Sequence, residues 1–211
     1  MNTLSRLLAA ALALTASSSL AHADPAAVSP NGQRLAAKLD SLGVEGKWIA
    51  GAHINWENGR PDGAPESEAG RHTHCSAFVA SAAKSLGVYI LRPPQHEQAL
   101  LANAQNEWLA QVGSANGWRH VEGAVEAQSL ANEGYLVVAS YHNHFDDKPG
   151  HIAIVKPAAR SVDQLDSEGP LAIQAGTVNS AAITVRAGFA GHPHAWDGDE
   201  IAYYAHAVAV R

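Results

Sequence analysis

The sequence predicts an α+β protein in which N-terminal helices pack on an antiparallel β-sheet. Three observations carry this. Apolar residues recur at helical spacing through the first part of the chain, from Leu35 to about Asn132. From Tyr135 onward the period changes, and compact β-branched runs such as YLVVASY and HIAIVK take over. These two runs are separated by the turn-prone stretch DDKPG, which reads as a hairpin. Helices first and antiparallel strands afterwards is the α+β layout.

In chain order, the first segment is MNTLSRLLAAALALTASSSLAHA. Arg6 followed by a short apolar core and the Ala21-His22-Ala23 site has the form of a cleaved signal peptide. The apolar run is too short to span a bilayer. Residues 1–23 are therefore expected to be a leader, and 24–211 a single domain in the periplasm or outside the cell. Position 24 is Asp rather than Cys, which argues against a lipoprotein anchor. Loss of Arg6 with the leader leaves 13 basic side chains against 20 acidic ones, a formal charge of −7. A mildly acidic chain without a basic run argues against nucleic acid or an anionic membrane as partner.

Leu35, Leu39 and Leu42 fit one face of a helix over 33–42, which Gly43 and Gly46 end. Residues 47–56 are mixed and contain Trp48 and Trp56, and 57–70 form a polar loop rich in Gly and Pro. Phe78, Val79, Ala82 and Leu86 then define a helix that begins at or near Cys75 and stops at Gly87. A second helix over 95–112 puts Leu101, Ala104, Trp108 and Val112 on one side. A third covers 122–132 and stops at Gly134. The strands expected after it are 135–141, 151–156, 170–175 and 182–186, with a last one over 201–210.

Cys75 is the only cysteine. In an oxidising compartment cysteines usually pair as disulfides, so a single one is a buried inert side chain, an intermolecular partner or a working thiol. A helix start favours the last, because unpaired N–H groups and the helix dipole stabilise a thiolate. The same groups can hold an oxyanion. A base is then needed. His151 leads an otherwise apolar strand directly after Pro149-Gly150, where packing gives it no reason to be. Gln174 interrupts the next apolar run and its amide could orient the imidazole; Asn179 competes for that role. On this reading Cys75 is a reactive, at least partly exposed thiol.

These residues resemble a known family. HCSAFVASAAKSLGV is similar to the D-C-S-G-F-V helix start of NlpC/P60 peptidases, and GHIAIV to their G-H-V-G-I-Y/V strand; the related CHAP amidases share the plan. The order of Cys on a helix, then His and a polar residue on successive strands, is the papain-like order of that superfamily. The resemblance implies a papain-like fold and a cysteine hydrolase that cuts amide bonds in peptidoglycan or a similar peptide. It implies Cys75 as nucleophile, His151 as base and Gln174 as third member, with no cofactor. NWENG resembles the aromatic segment upstream of the family's catalytic helix, so Trp56 is expected to line the cleft, together with His74, Ser76 and Asn179. Three departures stand out: His74 replaces the family's Asp, Ala77 replaces its Gly, and the helical stretch from Gln95 to Gly134 is longer than the family's minimal core needs.

Two other readings stay open. The chain has 12 histidines, and His72/His74, His142/His144 and His192/His194 are two-apart pairs that could bind zinc or copper with Cys75. No H-E-x-x-H or C-x-x-C motif anchors that idea, and no metal is assigned. The other is a periplasmic binding module whose cysteine is inert.

Overall fold

The computed structural model describes residues 24–63 and 72–209. The expected leader, the 64–70 part of the Gly/Pro-rich loop and Val210 of the last expected strand lie outside the described residues. Helix α1 spans Pro30–Asp40. It begins three residues before the expected start because Ser29 caps it, accepting from Gly32 N–H at 3.1 Å, and Pro30 opens the first turn. Helix α2, Cys75–Ser85, starts at the cysteine, and every residue from Cys75 to Ala83 is buried. Its small side chains let it sit in the core all round, rather than show one face to solvent.

Helix α3, Leu101–Gln111, corrects the expectation in two ways. It starts six residues later, and its buried residues are Leu101, Ala102, Asn103, Gln105 and Leu109. Val112, expected on the apolar side, is 43% exposed. Two polar residues occupy the buried face because each ties down backbone: Gln105 Nε2 donates to the carbonyls of Ser76 at 3.2 Å and Leu91 at 2.9 Å. Hydropathy alone assigns such residues to the wrong side.

Strand β1, Trp118–Val121, was not expected; only its two end residues are buried, so it carries no alternation to read. Helix α4 spans Gly123–Glu133 and ends at Gly134, where φ is 100°. The central pair, β2 (Leu136–Tyr141) and β3 (His151–Val155), is buried throughout and antiparallel, with Tyr141 opposite His151. Helix α5, Val162–Glu168, also unexpected, starts with a Ser161/Gln164 capping box. Then come β4 (Leu171–Gln174), β5 (Ser180–Thr184), the short helices α6 (Val185–Gly188) and α7 (Pro193–Asp197), and β6 (Ala202–His206). The fifth strand ends before the expected 186 because Thr184 caps α6, accepting from Ala187 N–H.

All six strands form one antiparallel sheet in the order β1-β6-β2-β3-β4-β5. The α+β class stands, although β1 precedes α4 and three short helices lie among the later strands. Alternate residues of the central strands enter two cores. Leu136, Val138, Ile152 and Ile154 pack with α1 and α2. Val137, Ala139, Tyr141, Ala153 and Val155 pack with α4 and Phe189. Burial on both sides explains the near-continuous apolar runs, since each such side chain contributes roughly 1.5–3 kcal/mol.

Candidate active site

Cys75 is the first residue of α2, and no side chain caps that helix. The preceding His74 is buried, its Nε2 donating to the Ala52 carbonyl at 2.8 Å. The backbone N–H groups of Cys75 and Ser76, that of Ile152 on β3 and the Thr73 hydroxyl favour the thiolate. Burial outweighs them and pushes the Cys75 pKa up. The thiol is 3% exposed, not partly exposed as the sequence suggested, because α2 is sunk into the core from its first residue.

His151 opens β3 and is itself buried. Its Nε2 donates to Gln174 Oε1 at 2.8 Å, and Gln174 Nε2 in turn donates to the Val178 carbonyl at 3.3 Å. Strands β3 and β4 pair at Ile154–Ile173 and Val155–Ala172, and the β4–β5 register is irregular between Ala172 and Gln174. The side-chain bond bridges β3 and β4 at the end where their ladder has stopped. Helix α6 leaves the amide its space: a Cβ on Gly188 would lie 2.5 Å from Gln174 Oε1. Burial lowers the His151 pKa, and the Gln174 bond offsets part of that.

The structure thus brings His151 and Gln174 into contact, and the next residue of β3, Ile152, is one of those whose backbone N–H groups draw the Cys75 pKa down against burial. Among the described residues no hydrogen bond joins the thiol to the imidazole. His151 faces the second core, where Phe189 meets it edge-on at 4.6 Å and His192 stacks on it at 5.6 Å. Cys75 belongs to the first core. The two flank the start of the same strand.

Asn103 holds the loop that delivers His151. Its Oδ1 accepts from Gly150 N–H at 2.7 Å and Asn143 N–H at 3.1 Å, and its Nδ2 donates to the Lys148 carbonyl at 3.0 Å. Sequence reasoning missed Asn103, Phe189, Gly188 and His192. Asn103 carried no signal beyond its place in a helix, and His192 only its membership of a His-x-His pair.

The remaining expected residues are held elsewhere. Asn179 makes no bond to His151; its Nδ2 donates to the carbonyls of Val44 at 2.9 Å and Lys47 at 2.6 Å, and its Oδ1 accepts from Gly176 N–H. Ser76 is buried, its carbonyl taken by Gln105. Trp56 is half-buried, with the Lys84 ammonium 5.3 Å and the Arg92 guanidinium 5.9 Å from its ring. Trp48, the other aromatic candidate for the cleft, is a core residue packed edge-on against Phe78.

His142 pairs with Glu107 at 2.9 Å, and His144 pairs with Glu200 at 2.6 Å while stacking on His194 at 4.7 Å. Among the described residues no three His, Cys, Asp or Glu side chains converge as metal ligands. A depression of about 490 Å³ beside β6 and α7 is lined by Trp196, Tyr203 and Asp199, and by none of the expected site residues.

In comparison with known proteins, no family model and no curated protein matches the chain.

Proposed function

We propose that the protein is an exported, papain-like cysteine hydrolase of the NlpC/P60 type that cleaves amide bonds in peptidoglycan. One observation carries the reading: a buried His151–Gln174 hydrogen bond of 2.8 Å at the start of β3, the strand against which helix α2 with Cys75 at its first residue packs. A buried polar pair costs desolvation that an apolar pair would avoid, so its presence beside the lone thiol calls for a chemical reason.

The chemistry follows from the protonation states. Burial raises the thiol and lowers the imidazole, so the resting pair is neutral. Gln174 occupies the Nε2 hydrogen and leaves the lone pair on Nδ1. With substrate bound, His151 Nδ1 takes the thiol proton and the thiolate attacks the amide carbonyl. The N–H groups at the start of α2 receive the oxyanion. The imidazolium protonates the leaving amine, and water, activated by the same base, releases the acyl group. Hydrogen bonds of this kind often tighten only in the substrate complex.

The test is digestion of purified peptidoglycan followed by mass spectrometry of the fragments. Wild type is expected to release peptides with one new amine and one new carboxylate at a single bond, and Cys75→Ala to release none. An intact substrate after wild-type treatment would reject the reading. A second reading, an inert thiol in a non-catalytic binding module, is favoured by the 3% exposure of Cys75 and the lack of a thiol–imidazole bond. Iodoacetamide separates the two: alkylation of the folded protein at a rate that depends on His151 belongs to the hydrolase, and alkylation only on denaturation to the inert thiol.

A further inference from the structure

A single hydrogen bond does not fix an imidazole. The ring of His151 can still swing about the axis from its Nε2 to Gln174 Oε1, and that swing moves Nδ1. Two contacts restrict it. Phe189 meets the ring edge-on at 4.6 Å and 74°, and His192 lies against it at 5.6 Å with the ring planes only 18° apart.

His192 is itself held. It is the N-cap of α7 and precedes Pro193, which restricts its backbone. Its N–H donates to the Phe189 carbonyl at 2.8 Å, and its own carbonyl accepts from Ala195 N–H at 2.9 Å. Tyr141, the residue opposite His151 in the sheet, meets the other ring of the stack at 5.4 Å. The His192 side chain makes no hydrogen bond among the described residues, so neither capping nor a polar tie explains the imidazole. Its ring contacts are with His151 and Tyr141.

We infer that His192 is a positioning residue for His151: its ring, stacked on the imidazole and backed by Tyr141, holds the plane of the His151 ring and with it the direction of Nδ1. The inference rests on the hydrolase reading for its consequence and on the ring geometry for its substance. Among the described residues, the titratable groups in ring contact with His192 are His151 from β3 and Tyr141 from β2. Burial and the nearby His151 hold the His192 pKa down to about 4. It therefore stays neutral when His151 takes up a proton, and presents a ring face to the imidazolium instead of a like charge.

The test compares wild type, His192→Ala and His192→Phe by two readouts: imidazole NMR of His151, and release of peptides from purified peptidoglycan across pH 5 to 9. His192→Ala is expected to shift and broaden the His151 signals and to slow release by on the order of 10-fold. His192→Phe, which keeps a ring face, is expected to restore the His151 signals and most of the rate, without moving the acid limb of the pH profile upward. Unchanged His151 signals and an unchanged rate in a folded His192→Ala protein would overturn the inference. So would a folded His192→Phe protein as impaired as His192→Ala, because the imidazole nitrogens would then matter instead of the ring. If wild type itself releases no peptide, the hydrolase reading falls, while the NMR comparison still decides whether His192 orders His151.

Discussion

His151 Nε2 donates to Gln174 Oε1 at 2.8 Å across the end of the sheet where β3 and β4 no longer pair, and this bond puts the free lone pair of the imidazole on Nδ1. The tautomer follows from the acceptor. An amide oxygen can only receive the hydrogen, so the nitrogen facing it must carry one.

Removal of that acceptor should cost rate more than stability. Gln174→Ala is expected to slow peptide release on the order of 10- to 1,000-fold, about 1.4–4 kcal/mol of transition-state stabilisation, with the fall in kcat rather than KM. Asn179→Ala should behave in the opposite way. It removes the donor to the Lys47 carbonyl and one of the two donors to the Val44 carbonyl, so thermal unfolding should show a loss of about 1–3 kcal/mol, and the rate of folded protein should change little. A silent Gln174→Ala beside an inactive, folded Asn179→Ala would move the orienting role to Asn179.

Gly188→Ala reaches the same bond from the other side. The added methyl would sit 2.5 Å from Gln174 Oε1, so the amide must turn away or α6 must shift. The expected outcome is a loss of rate close to that of Gln174→Ala, and no further loss in the double variant, since both act through one hydrogen bond. Additive losses would contradict this.

Folding stability should fall in mild acid. His151 and His192 both have folded pKa values below the usual 6.5, the first by burial offset by Gln174, the second down to about 4. Above 6.5 both are neutral folded and unfolded, and contribute nothing to the pH dependence. Below it the unfolded chain takes up protons that the folded one refuses, so stability drops as pH falls from 6.5 toward 4. Urea midpoints measured across that window should decline, and the decline should be shallower in His192→Phe. Equal slopes in the two proteins would contradict the depressed His192 value.

Asn103→Ala should loosen the loop into β3. It removes the acceptor for Gly150 and Asn143 N–H, at a cost of about 1–3 kcal/mol. Amide exchange should rise across 142–150, and the peptide-release rate should fall with it. Protection unchanged in that loop would show that β2 and β3 hold it without help.

How much of this was legible in the sequence depends on which groups do the work. Cys75 as a helix start and His151 as a strand start were readable because each breaks a pattern: a thiol ahead of a helical period, a polar residue ahead of an apolar run. Gln174 was readable for the same reason. The face of α3 was not, because Asn103 and Gln105 are buried through hydrogen bonds to backbone far along the chain, and periodicity treats polar as exposed. Nor was the burial of Cys75, which depends on how deeply α2 sinks between α3 and strands β3 and β4. The stack of His192 on His151 joins residues 41 positions apart, with α5, β4, β5 and α6 between them, and no local spacing encodes it.

The central claim is that Cys75 and His151 act as one unit although no hydrogen bond joins them at rest. Peptide release measured for Cys75→Ala, His151→Ala and the double variant, each shown to be folded, tests it directly. The account predicts that each single change costs nearly as much as both together, because a nucleophile without its base is largely idle. Losses that add, or a His151→Ala protein that keeps its rate, would contradict it.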